Sequence, residues 1–359
     1  MPQLIETLAS ILRIESVTGN ESKLCDWVEA ALKNRLPDLG GNYLLERIGN
    51  AVVCRLTLDP SFPTLAMAGH LDTVAGDQFG DKVQVLEDRI VGLGASDMKS
   101  GVAVMLEILR PEILQNSRFN LVQVYYDGEE GPDIDSGIHR VFARSKLLSD
   151  VALCLVLEPT DRALQLGCMG SIHARITFRG SRAHSARPWQ GENAIHKSAK
   201  FLEKIGALQP RHIEIAGLPF TEVISITQAK SGNNSRNVVP DIFELNLNMR
   251  LAPSRQLADA KLEIMRLVDG EATVEFIDAA PSCPVPESNP FLEELQTRYK
   301  LERKPKQAYT DVAVFSAHGI PAVNFGPGLT SQAHQHGEYV LSADLLWLYE
   351  ILASFISKQ

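Results

Sequence analysis

The chain has no closely spaced pair of cysteines. Its five, Cys25, Cys54, Cys154, Cys168 and Cys283, are odd in number, scattered, and include no CxxC. That fits buried thiols in a reducing compartment and not a disulfide framework. Positive charge is also short: 35 Lys and Arg stand against 44 Asp and Glu, a net charge of −9. Such a chain has little with which to release counterions from phosphate, so nucleic acid is not an expected partner. No apolar run approaches the length of a membrane span. The opening MPQLIETLASILRIESV carries Glu6 and no basic leader, so it reads as an amphipathic helix and not a signal peptide. A soluble, cytoplasmic protein is expected. GxSxG, P-loop and GxGxxG motifs are missing as well, which leaves serine-hydrolase, NTPase and dinucleotide readings without support.

What is present is ordinary globular composition, 45% hydrophobic and 22% charged over 359 residues, enough for two domains. Apolar spacing predicts helices through residues 1–35, broken at Thr18-Gly19-Asn20, with Asn20 as a cap. Strands are expected near 42–48, 51–57, 64–70, 119–126, 151–157 and 321–325. Helices are expected at 98–110, stopping at Pro111, and at 136–148, 290–301 and 341–357. Strand alternating with helix predicts an α/β domain with a mostly parallel, mixed sheet flanked by helices. From residue 170 the texture changes. IHARITFRG alternates apolar and polar residues, and the following elements run β-α-β-β-α-β, a ferredoxin-like pattern. The expected organisation is a discontinuous catalytic domain, 1–169 and 280–359, with 170–279 inserted as a second domain.

Three short apolar runs end in acids or imidazole. TLAMAG leads to His70, FNLVQVYY to Asp127-Gly128-Glu129-Glu130, and VALCLVL to Glu158. Open α/β sheets bind ligands at the carboxyl ends of their strands. His70 and Asp72 stand two apart, so on extended backbone both point one way. Asp72 is then placed to accept a hydrogen bond from the far ring nitrogen of His70, although the pair also reads as a plain surface loop. Asp97, just before a helix, reads as a cap or as a metal-bridging carboxylate, and the local sequence does not choose. Glu129 and Glu130 repel each other unless a positive group neutralises them; one can ligate metal while the other moves protons, or both can be solvated. His334 and His336 compete within GPGLTSQAHQHGEYV. His139, His173, His196, His212 and His318 read as structural or solvated. Taken together, hard carboxylates with imidazole and without thiolate suit two divalent ions, zinc or else cobalt or manganese.

The motifs GHLDTV, GASDMKSG, DGEEG, LEPT and GPG…AHQ…EYV resemble those of the co-catalytic zinc family of aminoacylases, acetylornithine deacetylases, glutamate carboxypeptidases and succinyl-diaminopimelate desuccinylases. The resemblance spans nearly the whole chain. It implies that His70 and Glu158 bind one zinc and Glu130 and His334 the other, with Asp97 bridging. It implies that Asp72 orients His70 and that Glu129 is the general base. It further implies an inserted domain that dimerises and covers the site, with His184 of GSRAHSARPWQGENAIHK reaching the partner's site. Asn237 in NVVP and Arg250 in LNMRLAP match substrate-binding positions. Thr310 is a third expected contact, in Tyr309-Thr310-Asp311 where the family's desuccinylases carry Thr-Ser-Asp. RAHSARPWQGENAIHK and YTDVAVFSAHGIPAVNFGPG look most like the actinobacterial-type succinyl-diaminopimelate desuccinylases. The AHQ…EYV ending equally resembles acetylornithine deacetylases. The expected activity is removal of succinate from N-succinyl-LL-2,6-diaminopimelate. The alternatives are deacylation of another N-acyl amino acid or a related metallo-carboxypeptidase activity.

Overall fold

A computed structural model describes residues 2–358; Met1 and Gln359, the outer ends of the expected catalytic domain, lie outside them. The described chain forms two compact units. The first runs to Leu166 and resumes over Pro286–Lys304 and from Val314 onward; the second comprises Gly167–Val285 and Pro305–Ala313. Residues 167–169, 280–285 and Pro305–Ala313, all assigned above to the catalytic domain, therefore belong to the second unit.

Eight strands form one sheet, all within the first unit except Pro305 at the end of the last. Their order is Asn42–Ile48, Ala51–Thr57, Asn120–Tyr126, Thr64–His70, Val151–Pro159, Ala322–Gly326, Leu164–Leu166 and Arg303–Pro305. The central strands are the apolar runs. Thr64–His70 and Asn120–Tyr126 are buried at every position, as strands covered on both faces must be. Thr64–His70 runs parallel to both neighbours, and Ala322–Gly326 runs parallel to Val151–Pro159. Register sets the site. His70 is paired with Tyr126, and Ala68 with Val156, so Glu158 stands level with His70.

Three local expectations fail, the first being the helix expected over 136–148, which covers only Gly137–Arg144. The second helix, Ser22–Arg35, is preceded by Glu21 and not by an Asn20 cap. The Glu21 carboxylate instead accepts the Gly19 N–H at 2.6 Å. The helix expected over 98–110 covers only Lys99–Ile108. Arg110 is extended before Pro111, as a residue preceding proline prefers, and Pro111 opens a new short helix, Pro111–Leu114. Among the described residues no helix is long and apolar enough to cross a membrane.

The second unit is an antiparallel sheet in the order Arg211–Ile215, Leu218–Ser231, Ile242–Leu251, Gly170–Arg179, Thr273–Ala280. Its last four strands follow the ferredoxin-like order. Alternating residues Ile172, Ala174, Ile176 and Phe178 bury one face against Phe201, Ile205, Ala260 and Ile264 of its helices. The edge strand Arg211–Ile215 escapes the sequence pattern because it is short and charged. Its hairpin turn lies at Ala216-Gly217, both with positive φ (51° and 74°), as a tight two-residue turn requires.

Candidate metal centre

The strand Thr64–His70 delivers a completely buried imidazole. His70 Nε2 lies 3.3 Å from Asp97 Oδ1 and 3.6 Å from Glu158 Oε1. Its Nδ1 lies 3.0 Å from the backbone oxygen of Asp72 and 3.6 Å from the Asp72 carboxylate. The far nitrogen therefore donates to the Asp72 main chain, not to its side chain as expected. The carboxylate is engaged elsewhere. It accepts the Glu129 and Glu130 N–H groups at 3.0 Å each and the Thr18 hydroxyl at 2.9 Å. Those two amides follow Gly128, whose φ of 74° makes the turn. One buried acid thus ties the His70 loop to the Glu129-Glu130 turn. A proton on Nδ1 leaves the Nε2 lone pair facing Asp97 and Glu158, the tautomer a metal ligand needs.

Asp97 is not a helix cap. The cap position is Met98, with no side-chain hydrogen bond, and the Asp97–Met98 peptide is cis. The two Asp97 oxygens face opposite partners: Oδ1 toward His70, and Oδ2 at 3.7 Å from His334 Nε2. His334 Nε2 also lies 3.1 and 3.0 Å from the two Glu130 oxygens. Two ligand groups result, His70–Asp97–Glu158 and Asp97–Glu130–His334. Within each, the ligand atoms lie within 4.8 Å of one another. His336 belongs to neither group.

The charges favour a cation. Burial pulls the His70 proton affinity down, yet Asp72 and Asp97 raise its pKa well above the ordinary imidazole value. The bond to Glu130 lifts His334 to about 9. Burial, reinforced by the charge of Asp97, pushes the Glu130 carboxyl up even against His334. Clustered carboxylates that draw protons onto both imidazoles form a donor set that suits two divalent cations.

Two buried charged residues beside this centre carried no role in the sequence reading. Glu338 is only 1% exposed, and burial raises it to about 7. Lys99, wholly buried, donates to the Ile14 carbonyl at 3.1 Å, and burial lowers it to about 7. Both lie inside the quoted motifs, GASDMKSG and EYV. Both have polar or glycine neighbours in the sequence, so no local pattern marks them as buried.

The other expected site residues belong to the second unit. His184 lies in the short strand Ala183–His184, paired with Val238–Val239. It is exposed, and its Nδ1 accepts the Ala186 N–H at 3.1 Å. Asn237 adjoins it, its carbonyl accepting the Ser185 N–H at 2.9 Å. Arg250 Nε donates to Asn248 Oδ1 at 3.2 Å. Thr310 is buried, and its carbonyl accepts from the Cys168 thiol at 3.5 Å.

Known proteins are similar to this chain in sequence and in fold. The model of the family described as Peptidase family M20/M25/M40 matches residues 66–358. A Mycobacterium tuberculosis protein provisionally named succinyl-diaminopimelate desuccinylase is 34% identical over 357 residues, covering 98% of this chain and 97% of its own. A succinyl-diaminopimelate desuccinylase of Corynebacterium glutamicum is 32% identical over 364 residues, covering 97% and 94%. The crystal structure of a tripeptidase from Staphylococcus aureus has a TM-score of 0.79 at 22% identity, covering 99% of this chain and 97% of that one, a likeness of fold.

Proposed function

The chain belongs to Peptidase family M20/M25/M40, a family of metal-dependent amide hydrolases, and from that premise we propose that it removes succinate from N-succinyl-LL-2,6-diaminopimelate in diaminopimelate and lysine biosynthesis. The observation that carries the reading is Asp97, whose two oxygens face two separate ligand groups. His70 and Glu158 would hold one ion and Glu130 and His334 the other, with Asp97 shared. Bound divalent ions, zinc or else cobalt or manganese, lower the pKa of a water and polarise the scissile carbonyl. Glu129 accepts the proton of the attacking water at its carboxylate. It then returns that proton to the amide nitrogen as the C–N bond breaks, releasing succinate and a free amine. Asp72 holds this turn through the Glu129 and Glu130 amides.

Residues of the second unit complete the proposal. Arg250 grips the far carboxylate of the succinyl group, a geometry that suits guanidinium. Asn237 and Thr310 are further substrate contacts. The protein acts in the cytoplasm as a homodimer through the second unit, and His184 of one subunit donates to the oxyanion in the other's site. The curated relatives, named as desuccinylases at 32–34% identity, support the choice of acyl group. The test is amine release by metal-loaded protein from N-succinyl-diaminopimelate, N-acetylornithine and other N-acyl amino acids. The succinyl substrate should give the highest kcat/KM. A preference for acetyl substrates overturns this reading in favour of an acetylornithine-type deacylase, which the AHQ…EYV segment resembles.

A further inference from the structure

Asp97 can serve two ions only if its backbone is placed to within a few tenths of an ångström, because each oxygen faces a different group. It sits on the turn between the strand Arg89–Val91 and the helix Lys99–Ile108. One side chain from outside the turn accepts three of its N–H groups. Glu338 Oε1 accepts the N–H groups of Ser96 at 2.7 Å and of Asp97 itself at 2.8 Å. Its Oε2 accepts the N–H of Gly94 at 2.7 Å. The Glu338 backbone oxygen takes the Gly92 N–H at 3.0 Å. Gly94 has a φ of 80°, and a Cβ there would stand 2.7 Å from Thr73 Cγ2, so the turn has little room to relax. The Lys99 N–H closes it into the helix by donating to the Gly94 carbonyl at 2.8 Å.

The clamp comes from the segment that also supplies His334. Glu338 lies four residues beyond His334, immediately before the strand Tyr339–Leu341, which pairs with Arg89–Val91. Ser96 adds a second tie. Its hydroxyl donates to the Leu329 carbonyl and accepts the Leu329 N–H, both at 3.0 Å. The turn bearing the shared ligand is thus fixed against the loop bearing a ligand of one ion. Only a carboxylate meets this demand: it has two acceptor oxygens and no donor, whereas an amide must turn an N–H toward an N–H. We propose that Glu338 is a positioning residue that sets Asp97 for both metal ions through the backbone amides of Gly94, Ser96 and Asp97. This inference rests on the two-metal reading above.

The test is cobalt binding to metal-free full-length chain, followed by the visible absorption of Co2+ and by competition with a chelator. Glu338→Gln keeps the size and loses the second acceptor. Glu338→Asp keeps the charge but withdraws it by one methylene. Both are expected to weaken both ions together by about 10- to 100-fold, the range seen when groups behind metal ligands are lost, and to change the cobalt spectrum. Loss of a ligand private to one ion, as in His334→Ala, should weaken mainly that ion. Wild type binding fewer than two ions per chain defeats the two-metal reading itself. Wild type binding two, with folded variants at wild-type affinity, overturns the role of Glu338. A lowered melting temperature of the metal-free protein with unchanged affinity does the same, because it describes a purely structural residue. Failure of both variants to fold even with cobalt present also overturns it.

Discussion

Glu129 and Glu130 are neighbours in sequence with different assignments. Glu130 faces His334, and the Asp72 carboxylate holds the amides of both. Glu129→Gln keeps the size and removes the proton acceptor. It should leave about two metal ions per chain and lower kcat by about a hundred- to ten-thousand-fold. Near wild-type turnover would move the base elsewhere. The imidazoles give a pH prediction. His334 stands at about 9 in the metal-free fold against an ordinary 6.5. Its protonated form therefore stabilises that fold fully below about 6.5, and this contribution is lost as pH rises through about 9. Ligation needs the neutral ring, so metal affinity runs the other way and climbs toward about 9. Metal binding at pH 7 should therefore expel at least the His334 proton. Calorimetric titration in buffers of different ionisation enthalpy reads this directly, and no proton release contradicts it. The structure brings His70, Asp97, Glu130, Glu158 and His334 together. Acids and imidazoles at the ends of apolar runs or in glycine-rich turns mark the region in the sequence, but the choice of Asp97 as ligand over cap, of Glu130 over Glu129 and of His334 over His336 comes from the family resemblance. The bond from His70 to the Asp72 main chain and the role of Glu338 were not legible in the sequence. Both depend on where backbone N–H and C=O groups converge, which no side-chain pattern records.

The parallel register of the central strands puts His70 and Glu158 level, and Gly326, on the strand that flanks Val151–Pro159 on the side away from His70, lets that strand lie tight against the Glu158 backbone. A Cβ on Gly326 would stand 2.1 Å from the Leu157 carbonyl oxygen and 2.3 Å from that of Glu158, both rigid backbone. Gly326→Ala must push the Glu158 strand away. It is expected to destabilise the protein by about 1–3 kcal/mol, the usual range for overpacking. It should also weaken the ion held by His70 and Glu158 more than the one held by Glu130 and His334. Thermal melting with metal analysis checks both, and an unchanged melting temperature with full metal content refutes the argument. The long elements were legible because seven-residue apolar strands and amphipathic helices carry a period. The small sheet Gln84–Val85, Arg89–Val91 and Tyr339–Leu341 was not, because two or three residues carry none. That sheet nonetheless places Glu338.

The change of texture at residue 170 announced a second fold, and the structure has a ferredoxin-like unit there. The return was harder to read, since Pro305–Ala313 joins the second unit from a distant stretch of sequence by tertiary packing alone. If the protein is a dimer in which His184 acts across subunits, mixing inactive Glu129→Gln with inactive His184→Ala protein should restore partial activity after subunit exchange. Each hybrid holds one site with both groups intact, and no recovery despite proven exchange would mean a site complete in one chain. All the proposed chemistry depends on two ions sharing one carboxylate. The most direct test is the metal content of purified wild type and Asp97→Ala, each saturated with zinc and then freed of excess ion. Wild type should retain two equivalents, and the variant should lose most of both. An Asp97→Ala protein that keeps both ions would contradict the account.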